Sequence, residues 1–317
     1  MKRILAVLLI VILLTSCRKT KVILHEFPEI PKNDNASSRI ITSEELDIKY
    51  HGAFNIIGER IFIGDLSNGE INIFDKNFSH IGKLEVVGIE LKRPSLILFE
   101  EEKYIIYDSE TSSIIVLGES GKLLNEYSLN YKEPDSDEVF KYQVWGMEYL
   151  NGNLYMACSE PFSLVKMNLE NGNLDIITDK FHGSVTKINN TIYAADQTEV
   201  VNEKTSRTEI LMAKAGINGI HKIEDGKTTK LIDLLEGIAP IDFTMSPDRT
   251  YIYSNPLESL IELDSNGDPV KVHWSLKDYH EFLKENNINS LMFKNMYTED
   301  YVTFYLAYDK FIVEVTK

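Results

Sequence analysis

A short strand-like segment recurs six times in this chain, and that recurrence limits the fold more than any other feature. The copies read Arg60-Ile-Phe-Ile-Gly-Asp65, Lys103-Tyr-Ile-Ile-Tyr-Asp108, Asn153-Leu-Tyr-Met-Ala-Cys158, Thr191-Ile-Tyr-Ala-Ala-Asp196, Thr250-Tyr-Ile-Tyr-Ser-Asn255 and Tyr301-Val-Thr-Phe-Tyr-Leu306. Their last residues lie 43, 50, 38, 59 and 51 positions apart, about 48 on average, which is a propeller-blade period. Each copy follows an apolar segment and a turn rich in Asn, Gly or acidic residues, as in Met147 to Asn153 and Val185 to Asn190. Two strands joined that tightly form a hairpin. A third segment with period-two alternation comes next, such as Ile71 to Asp75, and usually a fourth, such as Ile81 to Glu85. The expected fold is all-β, a six-bladed β-propeller of four-stranded antiparallel blades.

The sixth copy stops after Phe311 to Val315 and lacks an outer strand. Arg39 to Thr42, or the earlier Lys21 to Phe27, is expected to supply it and so remove an open edge. Lys277 to Asn287 sets Tyr279, Phe282 and Leu283 on one side of a short amphipathic helix before the sixth blade. Val200 to Thr208 is expected as an exposed loop in blade four, followed by a third strand near Gly219 to Ile223.

The N-terminus carries Lys2 and Arg3, then an unbroken apolar run from Ile4 to Leu14, then Thr15, Ser16 and Cys17. A basic start and a short apolar core make a secretory signal, and the run falls short of the roughly 20 residues that a spanning helix needs. Leu14-Thr15-Ser16-Cys17 resembles a bacterial lipobox, in which the Cys is acylated and the chain is cut just before it. At about 0.8 kcal/mol per buried methylene, two or three acyl chains anchor firmly. The expected organisation is a signal peptide over 1–16, a lipidated Cys17 and solvated tether over 17–38, and a propeller over 39–317. The basic Arg18 to Lys21, where surface-displayed lipoproteins carry acidic runs, favours the periplasmic face of the outer membrane.

The chain has 33 Lys and Arg against 49 Asp and Glu, a net charge of −16. An acidic domain repels nucleic acid, which excludes that partner. With Cys17 spent on lipid, Cys158 has no internal partner, so packing alone must stabilise the domain.

The blade grammar resembles the TolB-like six-bladed β-propellers, and more narrowly the exported lipoproteins of that build in Gram-negative bacteria. The resemblance implies a cell-envelope role in binding a partner protein, a peptide or a glycan. It carries over no residue-level site.

In a propeller the innermost strand of each blade starts on the face where the second strand ends, so both sets of residues gather around one channel mouth. The candidates for ligand binding are His51, Arg93, Trp145, His182 and Asp242, with Trp145 as a stacking surface and the cations suited to anionic or hydrogen-bonding groups. Asp65, Asp108, Asp196 and Asn255, at the second-strand ends, either cap their own turns or converge on a divalent ion. The second option would make the protein a metal-dependent lactonase-like or glycan-processing hydrolase. No His-x-His or His-Glu-x-x-His spacing supports a metal, and no cofactor fingerprint or nucleophile elbow occurs. The leading expectation is a binding or scaffold domain with no catalytic residues. Asp264-Ser-Asn-Gly-Asp268 reads as a hairpin turn, Cys158 as inert strand packing, and the second-strand tyrosines as wedge fillers between blades.

Overall fold

The computed structural model describes residues 29–132, 139–179, 181, 183–196, 219–224, 226–234, 238, 240–254, 257–288 and 291–317. The expected signal peptide, Cys17, the alternative closing segment Lys21 to Phe27 and the segment Val200 to Thr208, expected as a loop, lie outside them. After an opening strand β1 (Ser37–Thr42), blade one comprises β2 (His51–Ile57), β3 (Arg60–Asp65), β4 (Glu70–Phe74) and β5 (His80–Lys83). Blade two comprises β6 (Pro94–Glu100), β7 (Lys103–Asp108), β8 (Ser113–Gly118) and β9 (Leu123–Ser128). A small hairpin of β10 (Asn130–Lys132) and β11 (Val139–Lys141), not signalled by the repeat, leads into blade three. That blade is β12 (Gln143–Leu150), β13 (Asn153–Glu160), β14 (Phe162–Asn168) and β15 (Leu174–Asp179). Blade four is β16 (Gly183–Ile188), β17 (Thr191–Asp196), β18 (Gly219–Glu224) and β19 (Lys227–Ile232). Blade five is β20 (Pro240–Met245), β21 (Thr250–Ser254), β22 (Ser259–Leu263) and β23 (Pro269–Ser275). Blade six is β24 (Phe293–Tyr297), β25 (Thr303–Tyr308) and β26 (Phe311–Thr316), with β1 as its outer strand.

All pairings within the blades are antiparallel, and each second strand is apolar on both faces because both faces are buried. In β3, Ile61 and Ile63 point into one seam while Phe62 points into the next. In β7, Ile105 and Tyr107 face blade three while Ile106 faces blade one. Side chains alternate along a strand, so one segment feeds two seams. Six hydrophobic clusters result, one between each pair of neighbouring blades, including the seam between blades six and one. A complete set of seams means a closed ring. Gly52 and Gly64 let blade two approach blade one, since a Cβ at either would lie within 2.5 Å of the Pro94 carbonyl oxygen.

Closure uses the nearer of the two candidate segments. β1 runs from Ser37 opposite Thr316 to Thr42 opposite Phe311, with Ile41 in the seam with Phe54, Ala307 and Ile312. The residues before it also dock: the Asn33 N–H donates to the Val272 carbonyl at 2.8 Å, and the Val272 N–H donates to Pro31 at 2.8 Å. Between blades five and six, a 3-10 turn (Leu276–Tyr279) and helix α1 (His280–Glu285) place Tyr279, Phe282 and Leu283 against a cluster containing Trp274 and Phe311. This is the amphipathic segment expected there. The second-strand tyrosines are packing groups. Tyr253 stacks on Phe293 at 3.9 Å and shares a 2.6 Å hydroxyl hydrogen bond with Tyr308.

Deleting residues 1–45 removes the outer strand of blade six and the Ile41 side chain, and exposes the β26 edge. The expected result is a fall in melting temperature larger than that of Ile41→Ala, whose cavity costs about 2–5 kcal/mol. Thermal scanning of the two variants beside the intact chain checks it; an unchanged melting point in the truncated protein contradicts it.

Candidate functional site

The six innermost strands surround a cavity of about 460 Å³, within the range of about 300–1,000 Å³ usual for small-molecule sites. Their starts are irregular. In four of them the register with the second strand skips one residue: Ser95 in β6, Trp145 in β12, Ile241 in β20 and Lys294 in β24. Such bulges turn a side chain out of the pleat. That explains how Trp145 stands 47% exposed in a strand whose other residues are buried or half-buried. Trp145, Ile241 and Lys294 all line the cavity, at the level of its mouth.

Of the residues expected at the rim, Trp145 and Asp242 line the cavity together. Arg93 is exposed just before β6; the Lys294 pKa is lowered chiefly by burial, opposed by Asp309, with a smaller contribution from the Arg93 charge. His51 is buried below the rim. Its Nδ1–H donates to the Tyr308 carbonyl at 3.1 Å, tying blade one to blade six, and burial pushes its pKa down to about 4. A neutral, enclosed imidazole holds a seam. His182 lies outside the described residues, as does Asn255.

Two of the repeated aspartates, Asp65 and Asp108, cap turns and loops. Asp65 Oδ1 accepts from the Ser67 N–H at 2.9 Å and the Ser67 hydroxyl at 2.6 Å. Asp108 accepts four backbone N–H groups, from Lys92, Arg93, Glu110 and Thr111. Asp196 is buried at the end of β17. Among the described residues no group of three or more His, Cys, Asp or Glu side chains is arranged to hold a metal ion. Asp264 likewise accepts the Asn266 and Asp268 N–H groups within its turn. Cys158 is a buried free thiol whose pKa burial raises to about 12.

Deeper in the channel lie Asp242, expected at the rim, and charges that the strand order did not signal. One layer inside the bulges stand Leu96, Gly146, Asp242 and Asn295, opposite Tyr107, Ala157, Tyr253 and Ala307. Two residues further along come Asn55, Leu98, Glu148, Thr186, Thr244 and Tyr297, one from each blade and each facing its second strand. Glu100 and Lys187 form an ion pair beyond them. Asp242 accepts the Phe243 N–H at 2.8 Å and the Met296 N–H at 2.7 Å, so it also bridges blades five and six. Those bonds favour the carboxylate, but enclosure by protein outweighs them and raises its pKa to about 7. Enclosure raises Glu148 to about 8, opposed by the Lys187 N–H and ammonium and reinforced by the charges of Asp242 and Glu100. Two carboxyls in one channel thus titrate near neutrality. The available signal was a lone acidic residue in the apolar first segment Met147-Glu-Tyr-Leu150.

Neither a protein-family model nor a curated protein sequence matches the chain. Solved structures do. A catalytically inactive variant of virginiamycin B lyase from Staphylococcus aureus, solved with quinupristin, is similar with a TM-score of 0.56 and 11% identity, covering 89% of this chain and 99% of that one. A candidate exported protein of Bacteroides fragilis is similar with a TM-score of 0.54 and 12% identity, over 91% of this chain and 98% of its own. The likeness is one of fold. The chain is a β-propeller scaffold domain, and at such identities a shared fold carries no activity.

Folding takes up protons on Asp242 and Glu148, because their folded pKa values lie above those of the unfolded chain. Stability from these groups is full below about pH 4 and is lost as pH rises through about 7 and 8. Glu148→Gln is expected to match the wild type in melting temperature near pH 4.5 and to exceed it increasingly up to pH 9. Melting curves over that range check it; a difference that does not vary with pH contradicts it.

Proposed function

We propose that this chain is an exported lipoprotein of the TolB-like build whose propeller binds an envelope protein, peptide or glycan at the channel mouth. Acylated Cys17 holds it at the periplasmic face of the outer membrane. The observation that carries the binding role is the central cavity, ringed by six inner strands, with the exposed Trp145 at its lip and polar groups inside. An aromatic surface beside buried polar groups is how concave sites gain both affinity and orientation. The anchoring role rests on the lipobox-like Leu14 to Cys17 after a short apolar run. Among the described residues no helix is long and apolar enough to cross a membrane. Asp65 and Asp108, candidates for a hydrolytic metal site, accept backbone N–H groups.

One experiment addresses both parts. The full chain is expressed in a Gram-negative host with an alkyne-tagged palmitate, then captured from solubilised envelopes after cross-linking. The label is expected on the wild type and absent from Cys17→Ser, and a specific cross-linked species is expected to be lost in the Trp145→Ala, Arg93→Ala double variant. Label that persists without Cys17, or identical cross-linked species from the wild type and the double variant, contradicts the proposal.

A further inference from the structure

Charge is ordered along the channel. Lys294 stands at the mouth, level with Trp145, and among the described residues it makes no ion pair; its Nζ rests 3.3 Å from the Met292 sulfur, with Asp309 and Arg93 as its charged neighbours. Asp242 is one layer in, and Glu148 stands two residues deeper, about 7 Å at the usual strand rise. The lysine beyond them, Lys187, is already paired with Glu100. Asp242 and Glu148 are therefore carboxylates facing the cavity with no cation bound to them among the described residues. Blade four lies between the blades that carry them. Its Ser184, only 5% exposed, lines the same cavity, and among the described residues its hydroxyl has no hydrogen-bond partner. A buried hydroxyl left unpaired costs free energy that a ligand can recover.

We propose that the cavity takes a small dipolar ligand of the amino-acid or short-peptide class, its ammonium group turned inward to Asp242, Glu148 and Ser184 and its carboxylate outward to Lys294 and Arg93. This inference rests on the channel being the binding site and adds the chemistry of what it binds. An ammonium group has three donors and no acceptor, matching two carboxylates and one hydroxyl. Charge-assisted hydrogen bonds of this kind are about twice as strong as neutral ones. A neutral sugar would bring no charge to complement either end of this arrangement.

The proton balance makes the inference measurable. The titratable groups facing the two carboxyls are Glu100, Lys187, Lys294 and the phenols of Tyr297 and Tyr301. Tyr297 is held far above neutrality by burial and Glu299, and Lys187 is paired with Glu100. An ammonium group that engages the carboxylates must expel their protons to solvent. Binding then tightens from pH 6 toward about 7.5, where an α-amino group itself begins to lose its proton.

The test is calorimetry on the full chain with the dipeptide Ala-Ala, N-acetyl-Ala-Ala and Ala-Ala amide, in buffers of different ionisation heat. Ala-Ala is expected to bind with release of about one proton at pH 7, the acetylated form not to bind, and the amide to bind about tenfold more weakly. Glu148→Gln, confirmed as folded by its melting curve, is expected to lose most of the proton release and about tenfold in affinity. Ala-Ala that fails to bind, binds without releasing protons, or binds no better than its acetylated form overturns the inference. A cross-linked envelope species that still depends on Trp145 would in that case leave the mouth as a binding site while removing this ligand chemistry. Proton-linked dipeptide binding with no Trp145-dependent species would do the reverse.

Discussion

Everything in this protein rests on the pairing of its two ends. A propeller blade cannot hide both faces of its sheet, and each seam exists only because a neighbour supplies the opposing face. The seam between blades six and one joins the last blade to the first. It depends on β1, whose six residues pair with β26 and whose Ile41 enters the cluster with Phe54, Ala307 and Ile312. His51 adds a directional tie across the same seam through the Tyr308 carbonyl. Without that closure the inner strands would have no common axis and the channel would not exist.

Closure has an electrostatic consequence. Bringing six strands to one hub concentrates whatever polar side chains they carry, and here it encloses Asp242 and Glu148 in a space too narrow for full hydration. Burying a carboxyl in that way opposes its ionisation and therefore opposes folding at high pH. Apolar side chains at both positions would avoid that penalty. Asp242 recovers part of it by bridging to the Met296 N–H, whereas Glu148 has only the Lys187 N–H and the nearby ammonium. A carboxyl held so poorly for stability is well held for a cationic ligand.

Much of the fold was legible in the sequence. The second strands stood out because burial on both faces makes them continuously apolar, and the turns between strands carry the Asn, Asp and Gly residues that such turns need. The closing strand was legible as one of two candidates, since register with β26 is set by side-chain contacts no local pattern reveals. The site was legible only in outline. Trp145 and Asp242 were placed at the mouth from strand order alone, but the bulges that turn Trp145 and Lys294 outward depend on pairing with the second strand. His51 looked like a rim residue because its position in the repeat is right, yet its ring turns into the seam. Glu148 went unnoticed because one acidic residue in an alternating strand ordinarily faces solvent, and only ring closure turns that face into a channel.

Hydrogen exchange on the amides of β26 tests the closed ring most directly. In the intact chain β26 is an interior strand, flanked by β25 and β1, so its amides are expected to exchange as slowly as those of β8, which holds the corresponding third place in blade two. Exchange at the rate of the outer strand β5 would mean that the two ends do not meet, and the channel with its carboxyls would go with them.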